Sequence, residues 1–373
     1  KSIQIESMQI RYVNLNGELI APDALENAKI SIFDRSFIYG DSLYEVVRTY
    51  GGAPFLMDSH LKRLEQSAQL CRLKLSHPLS HYKEEMRKAI DAFRAHPSCE
   101  DEEVYCRIII SRGIGKIGFS EKMVETDTQY VIVAQPLGEP SDEAFEKGLS
   151  LQVSRRLRND PRALDPAMKS GNYLNNLLAF LESEDEGFDD AILCNNEGHV
   201  TEGTTFNVFY ARNGVVATPP MDIGILGGIS RDLVLNILSQ HSIPYREVRF
   251  PKEYMYQADE AFLTSTIKEA FPIVSLDKKK VGNGKPGKIT RPDDMSKAVQ
   301  TAEPIEDIGG FSNAAFDYQD IVRSGMVMDG QMKPQPVNIE VFERGPSLSG
   351  FQAVSYANRT AAVKPTTDNY LNA

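Results

Sequence analysis

The sequence predicts a mixed α/β protein of two domains, a smaller N-terminal α/β domain and a larger β-rich C-terminal domain. Short β-prone runs outnumber the helical runs and do not alternate strictly with them, which disfavours a doubly wound parallel sheet. Residues 136–141 contain Pro and Gly between two such regions and are typical of a connection between domains. A chain of 373 residues is long enough for two cores.

These observations predict the following organisation. Residues 1–135 form the small domain, residues 136–146 the linker and residues 147–291 the large domain. Residues 292–373 have scattered Pro and Gly and no sustained strand or helix periodicity. We therefore interpret them as a C-terminal extension of unknown role.

Alternation of apolar and polar residues, β-prone runs and turn residues predict the strands of the small domain, and a repeat of three to four residues predicts its helices. Asn16-Gly17 and Gly51-Gly52 are each typical of a hairpin turn. The predicted strands are residues 10–15, 18–20, 30–33, 46–50, 53–56, 104–110 and 130–134, and the predicted helices are residues 58–71 and 82–95.

The large domain is predicted from the same two patterns. Its predicted strands are residues 149–153, 190–194, 207–210, 215–217, 245–250 and 261–266, and its predicted helices are residues 173–184 and 232–240.

Charge and composition exclude several classes of function. A net charge of −11 argues against binding to nucleic acid or to an anionic membrane surface. No apolar run approaches the roughly 20 residues of a membrane span, and we expect no signal peptide. The four cysteines have no C-x-x-C spacing, so we expect reduced thiols and a cytoplasmic location, and we also expect no metal site.

Lys169 stands between a polar loop and the apolar run of residues 174–181. A lysine held against apolar walls has a lowered pKa, because burial disfavours the ammonium. A neutral amine is what a covalent link to an aldehyde cofactor requires. On its own, however, this stretch is more typical of a solvated lysine at the start of a helix.

Two later stretches carry complementary chemistry. Glu202 precedes a β-prone run, and a carboxylate there can keep a pyridine nitrogen protonated. Gly228, Ile229 and Ser230 precede an apolar helical repeat that begins at Leu233, so Ser230 is predicted to be the N-cap of a helix whose N-terminus favours an anion.

Lys169, residues 200–209 and residues 226–232 occur in this order and together resemble the class IV (fold type IV) pyridoxal-phosphate aminotransferases. That family includes branched-chain aminotransferases, D-amino-acid aminotransferases and aminodeoxychorismate lyase. The resemblance runs from about residue 8 to residue 291 and implies a fold type IV enzyme whose large domain binds pyridoxal 5′-phosphate (PLP). It also implies a homodimer.

The resemblance implies a role for each matching residue. Lys169 is the catalytic lysine that links to the PLP aldehyde, Glu202 contacts the ring nitrogen and Tyr173 lies near the ring 3′-oxygen. The phosphate is held by Arg63, Ile229, Ser230 and Thr266.

The substrate residues implied by resemblance are Tyr39, Arg48, Tyr105, Arg107 and Ile267. Tyr105 and Arg107 match the Tyr-x-Arg of branched-chain aminotransferases, which favours amino transfer from a branched-chain L-amino acid to 2-oxoglutarate. Arg112-Gly113 resembles D-amino-acid aminotransferases, and Ile267 and Lys268 replace the small residues usual in the turn that meets the substrate α-carboxylate. D-amino-acid aminotransferase and aminodeoxychorismate-lyase-like activities are therefore alternatives.

Overall fold

A computed structural model describes residues 10–290, together with residues 326–328 and 334–336. Two sheets organise residues 10–290, one on each side of the predicted linker. The mixed α/β fold predicted from the sequence is confirmed. The first sheet has six strands and the second has nine.

The first sheet is entirely antiparallel, with the strand order β2-β1-β6-β5-β3-β4. Asn16 and Gly17 both have positive φ in the tight β1–β2 turn, as their residue types predict. Its strands are β1 Tyr12–Leu15, β2 Glu18–Ile20, β3 Ser42–Tyr50, β4 Ala53–Pro54, β5 Val104–Ser111 and β6 Gln129–Pro136.

Three helices accompany the first sheet: α1 Arg35–Tyr39, α2 Met57–Leu70 and α3 Leu79–Arg94. The apolar sides of α2 and α3 pack on one face of the sheet and bury a core that includes Leu64, Phe93 and Ile108. Alternate residues of β3 and β5 therefore point away from the helices. That opposite face carries Tyr44, Arg48, Tyr105 and Arg107.

One predicted strand of this part is wrong. Residues 30–33 form a loop and a turn instead, and Ile30, Ile32 and Phe33 are exposed. The Phe33 carbonyl accepts from the Gly115 N–H at 3.3 Å, but no strand among the described residues pairs with this segment. β propensity alone therefore does not produce a strand. The segment ends at Asp34, whose carboxylate accepts from the Ser36 N–H at 2.8 Å and caps α1.

The second sheet has the strand order β12-β11-β10-β13-β14-β7-β8-β9, with β15 beside β14. The β14–β7, β7–β8 and β11–β12 pairs are parallel. Its strands are β7 Leu149–Leu157, β8 Asp190–Cys194, β9 Val200–Gly203, β10 Asn207–Arg212, β11 Val215–Thr218, β12 Tyr245–Glu247, β13 Glu260–Ser265, β14 Glu269–Leu276 and β15 Lys279–Lys280.

Four further helices are α4 Asp142–Lys147, α5 Leu174–Asp185, α6 Ile229–Gln240 and α7 Glu253–Tyr256. Helix α4 overlaps the end of the predicted linker, and its Phe145 packs edge-on against Phe271 of β14. Helix α6 buries Val234 and Leu238 with Phe209 and Phe262 of the second sheet. This packing fixes the N-terminus of α6 beside the ends of β9 and β13.

The predicted domain boundaries remain a prediction. Both sheets lie in one compact unit, and a second unit contains the short antiparallel pair β16 Met326–Met328 and β17 Pro334–Pro336. The remaining residues of the predicted extension lie outside the described residues. Among the helices of the described part, none has the length and apolar character to cross a membrane.

Candidate active site

A solvent-open cleft of about 750 Å³ lies where the segment before α5, the N-terminus of α6 and the ends of β9 and β13 come together. This cleft brings together the predicted cofactor residues, which are far apart in the sequence. All seven line it: Arg63, Lys169, Tyr173, Glu202, Ile229, Ser230 and Thr266.

Lys169 is held against strand β3 by backbone pairing. Its carbonyl accepts from the Tyr44 N–H at 3.0 Å, and its own N–H donates to Ser67 Oγ at 3.1 Å. Its Nζ donates to Tyr44 Oη at 3.2 Å. Burial, reinforced by the charge of Arg63, lowers the pKa of the Lys169 ammonium to about 8. At pH 7 the ammonium still predominates, but about a tenth of the amine is neutral and nucleophilic, far more than for a lysine with the ordinary pKa.

Glu202 is buried on strand β9, in contact with a guanidinium. Its Oε1 accepts from Arg158 Nε at 2.8 Å, and its Oε2 accepts from the Leu226 N–H at 3.0 Å. Burial raises the pKa of Glu202, whereas Arg158 opposes that rise by favouring the carboxylate. The result is a carboxylate held in one orientation in the wall of the cleft.

The N-terminus of α6 forms another wall. Ser230 is not the N-cap, which corrects the sequence-based assignment: Gly228 occupies that position and Ser230 is the second helical residue. A Cβ at Gly228 would lie 2.0 Å from Asn207 Oδ1, so only glycine fits there. The first N–H groups of a helix have no partner within it, and those of Ile229 and Ser230 adjoin the cleft.

Arg63 brings a positive charge to this wall through a buried ionic cluster. Its Nε and Nη2 donate to the two oxygens of Glu45 at 2.7 and 2.8 Å, and its Nη1 donates to the Gly227 carbonyl at 2.7 Å. His60 Nδ1 lies 2.8 Å from Glu45 Oε2. Burial alone would raise the pKa of Glu45, but Arg63 and His60 outweigh it and hold that pKa well below its ordinary value. The ionised Glu45 thus fixes the Arg63 guanidinium.

The predicted substrate residues lie outside the cleft wall. Arg107 contacts Tyr44, which in turn contacts Lys169. The Cζ of Arg107 is 4.2 Å from the centre of the Tyr44 ring, and its Nε is buried without a partner in the described part of the chain. Arg48 is only 2% exposed and is engaged by Glu269 at 2.8 Å and by Glu139. The sequence predicts a substrate role for both Arg48 and Arg107, but in the structure two carboxylates engage Arg48, whereas the Nε of Arg107 is unused.

The other three predicted substrate residues lie in different places. Tyr39 Oη accepts from the Gly118 N–H at 2.8 Å, and its ring centre is 5.3 Å from that of Phe119. Tyr105 pairs with Arg48 across β3 and β5 on the face that carries Arg107. Ile267 follows Thr266 in the turn between β13 and β14. Their substrate roles remain predictions.

Sequence reasoning missed several polar residues of this region. Three of them line the cleft: Arg158, Asn207 and Thr264. Two others do not line it but contact residues that do: Tyr44 contacts Lys169, and Glu45 contacts Arg63. Arg158 had no local signal, because its partner Glu202 is 44 positions away. The alternation along residues 42–50 could have placed Tyr44 and Glu45 on opposite faces of a strand.

Comparison with known proteins identifies the family. Residues 42–276 match the family model described as amino-transferase class IV. The chain is a class IV aminotransferase. The matched range contains Arg63, Lys169, Glu202 and the N-terminus of α6, so the cleft lies within the family region.

Proteins and solved structures similar to this class IV aminotransferase include branched-chain and D-alanine aminotransferases. It is 34% identical to a putative branched-chain-amino-acid aminotransferase of Methanocaldococcus jannaschii over 75% of this chain and 92% of the relative. It is 32% identical to a D-alanine aminotransferase of Bacillus licheniformis over 73% and 90%. The crystal structure of a branched-chain amino acid aminotransferase from Thermobaculum terrenum, in its PLP-form, has a TM-score of 0.69 and 28% identity, covering 79% and 96%.

Class IV aminotransferases are PLP enzymes, and the cleft of this one fits PLP. Thr264 Oγ1 is buried without a partner in the described residues and lies in the cleft wall, as an unused donor for an oxygen-rich group would. Lys169 would offer the amine, Glu202 the carboxylate for the ring nitrogen, and Arg63 a charge for the phosphate.

Proposed function

We propose that this class IV aminotransferase transfers the amino group of a branched-chain L-amino acid to 2-oxoglutarate, using PLP linked to Lys169. The observation that carries the proposal is the presence of the Lys169 amine, the Glu202 carboxylate and the N-terminus of α6 in one cleft. These three groups match the aldehyde, the ring nitrogen and the phosphate of PLP.

The residues of the cleft have separate proposed roles in the reaction. When bound, PLP supplies the electron sink that stabilises negative charge at the substrate α-carbon. The Lys169 amine acts as general base: it takes the α-proton and carries it to the acceptor atom, a role that a pKa of about 8 suits. Glu202 holds positive charge on the ring nitrogen, and Arg63 with the α6 N–H groups anchors the phosphate.

Substrate recognition is proposed on the face of the first sheet that carries Tyr44, Tyr105 and Arg107. Arg107 is the better partner for the distal carboxylate of glutamate, because its Nε is unused whereas Arg48 is already engaged by two carboxylates. The tyrosine rings offer apolar surface for an aliphatic side chain. One pocket would thus accept both a branched-chain amino acid and glutamate.

The similarity to a D-alanine aminotransferase makes D-amino acids the second candidate substrate class. Arg112 is the residue that suggested it from the sequence. In the structure the Arg112 guanidinium donates to Asp41 at 2.7 Å and to the carbonyls of Arg72 and Cys71 at 2.8 and 3.0 Å. Because these contacts use its donors locally, Arg112 supports the D-specific alternative weakly.

Steady-state assays of L-leucine and D-alanine, each with 2-oxoglutarate, test the substrate class. We expect kcat/KM to be at least about tenfold higher for L-leucine, a difference of about 1.4 kcal/mol in transition-state binding. Initial-rate plots at several fixed 2-oxoglutarate concentrations should be parallel, because one cofactor serves both half-reactions. A higher kcat/KM for D-alanine would replace the branched-chain proposal with the D-amino-acid alternative.

The enzyme is also proposed to be a homodimer, because residues 30–39, which end in helix α1, and the loop of residues 114–119 form an exposed apolar surface. Asp34 pairs with Ile114, and Arg35 Nη1 donates to the Gly118 carbonyl at 2.8 Å, so the two segments lie side by side. The exposed apolar side chains of this surface are Ile30, Ile32, Phe33, Phe37, Ile117 and Phe119. An exposed apolar patch of this kind is typical of a protein interface. Tyr39 lies here too, so its predicted substrate role requires the cleft of a second copy.

Phe119, 84% exposed, is the probe for this interface. Phe119→Asp should raise the dimer dissociation constant by about tenfold or more, because a charge would be buried in an apolar contact. Sedimentation velocity over a range of concentrations measures it. Leu19→Asp, an exposed apolar residue on β2, is the matched control and should leave the dimer intact. An unchanged dissociation constant for Phe119→Asp would place the interface elsewhere.

The thiols agree with a proposed cytoplasmic location. All four cysteines are unpaired, and Cys99, Cys106 and Cys194 are buried. Burial raises the pKa of the Cys194 thiol to about 11, which keeps it protonated and unreactive. Such cysteines are typical of proteins in a reducing compartment.

A further inference from the structure

The side chain of Tyr44 lies between Lys169, the predicted catalytic lysine, and Tyr173, which is predicted to lie near the cofactor. Its hydroxyl accepts from Lys169 Nζ at 3.2 Å and donates to the Tyr173 hydroxyl. Its ring centre is 4.4 Å from Lys169 Nζ and 4.2 Å from Arg107 Cζ. Tyr44 is almost fully buried, and its hydroxyl is not part of the cleft wall.

This geometry gives the Tyr44 hydroxyl a defined direction. A hydroxyl has one proton to donate and lone pairs to accept. With the proton directed at Tyr173, a lone pair faces Lys169. Burial raises the pKa of the Tyr44 hydroxyl, so it stays protonated throughout the working range. The three groups therefore form one chain of hydrogen bonds from Lys169 through Tyr44 to Tyr173.

A free lysine side chain has four rotatable bonds, and ordering it has an entropic cost. A general base must stay within hydrogen-bond reach of the atom it serves. We propose that Tyr44 is a positioning residue, which holds the amine of Lys169 through its hydroxyl and couples that amine to Tyr173. The proposal rests on the proposed function, in which Lys169 carries the proton.

Tyr44→Phe removes one oxygen and keeps the ring, so it tests the hydroxyl alone. In the holoenzyme we expect kcat for L-leucine to fall about tenfold, with KM changed less than about twofold, because substrate binding does not use this hydroxyl. Tyr130→Phe is the matched control: it removes the contact between Tyr130 Oη and His81 Nε2, at 3.1 Å, elsewhere on the same sheet. This control should retain both constants.

A second measurement separates positioning from a general loss of structure. In enzyme loaded with pyridoxamine 5′-phosphate, the Lys169 amine carries no covalent link, and its acetylation by acetic anhydride can be followed against pH by peptide mass spectrometry. Tyr44→Phe should lower the titration midpoint of Lys169 by about 0.5 to 1 unit, because the ammonium loses an acceptor. The charged groups that act on this ammonium, Arg63, Glu45, Glu202 and Arg107, are unchanged in the variant.

The outcomes separate the two proposals. A normal kcat and an unshifted Lys169 midpoint in Tyr44→Phe would overturn the positioning role while leaving Lys169 as the catalytic lysine. Equal losses in Tyr44→Phe and Tyr130→Phe, without a midpoint shift, would also overturn it, since they indicate only weakened packing. Borohydride reduction that attached PLP to another lysine would instead refute the proposed function itself.

Discussion

Lys169→Ala should lower kcat on the order of 10³-fold or more, since it removes both the covalent link to PLP and the general base. The visible absorption of the linked cofactor should disappear. Some PLP should remain bound, because Arg63, Gly228 and the N-terminus of α6 still line the cleft in this variant. Absorption spectra and single-turnover rates with L-leucine measure both effects.

Two controls make this result specific. Lys62→Ala removes an exposed lysine from the same helix as Arg63 and should leave kcat and the visible absorption unchanged. Lys169→Arg retains a positive charge at the same position but lacks the neutral amine, so it should fold and remain inactive. Borohydride reduction of the parent enzyme, followed by peptide mapping, should locate PLP on Lys169. Attachment at any other lysine would contradict the assignment.

Glu202→Gln should slow proton abstraction by about 10²-fold or more, which corresponds to about 3 kcal/mol of transition-state stabilisation. The side chain keeps its shape but loses the charge that holds a proton on the ring nitrogen. Rapid-mixing measurement of a single half-reaction isolates this step from product release.

Arg158 complicates this second substitution, because the guanidinium 2.8 Å from Glu202 would lose its carboxylate partner. A buried charge without a partner destabilises the fold. The double variant Glu202→Gln with Arg158→Gln removes that penalty and should remain slow, whereas its thermal stability should recover relative to the single variant. Glu197→Gln, on the exposed turn before β9, is a neutral control. An unchanged half-reaction rate in Glu202→Gln would rule out its role.

The sequence predicted most of the fold because most of its signals are local. Asn16-Gly17 and Gly51-Gly52 form the expected turns, and the β-prone run at residues 104–110 lies in the strand Val104–Ser111. The predicted cofactor residues have a different origin: the resemblance connected positions that are distant in sequence. The structure brings all seven to one cleft, and their roles remain predictions.

What the sequence did not predict depends on tertiary contacts. Residues 30–33 have strand propensity but no neighbouring strand, and their apolar side chains remain exposed. Ser230 has the residue type of an N-cap, yet the chain enters α6 two residues earlier, where only Gly228 fits beside Asn207. The pairing of Arg48 with Glu269 joins residues 221 positions apart, so no local pattern could distinguish Arg48 from Arg107.

Strand β3 places neighbouring residues in two different polar clusters. Tyr44 contacts Lys169 on one face, and Glu45 binds Arg63 on the other. A deletion or insertion of one residue just before this pair would exchange the two side chains between the faces and disrupt both clusters together. Gly51, by contrast, borders open space at the hairpin turn. Length variation among homologous chains is therefore expected to concentrate at this turn and to be absent from the strand that leads to it.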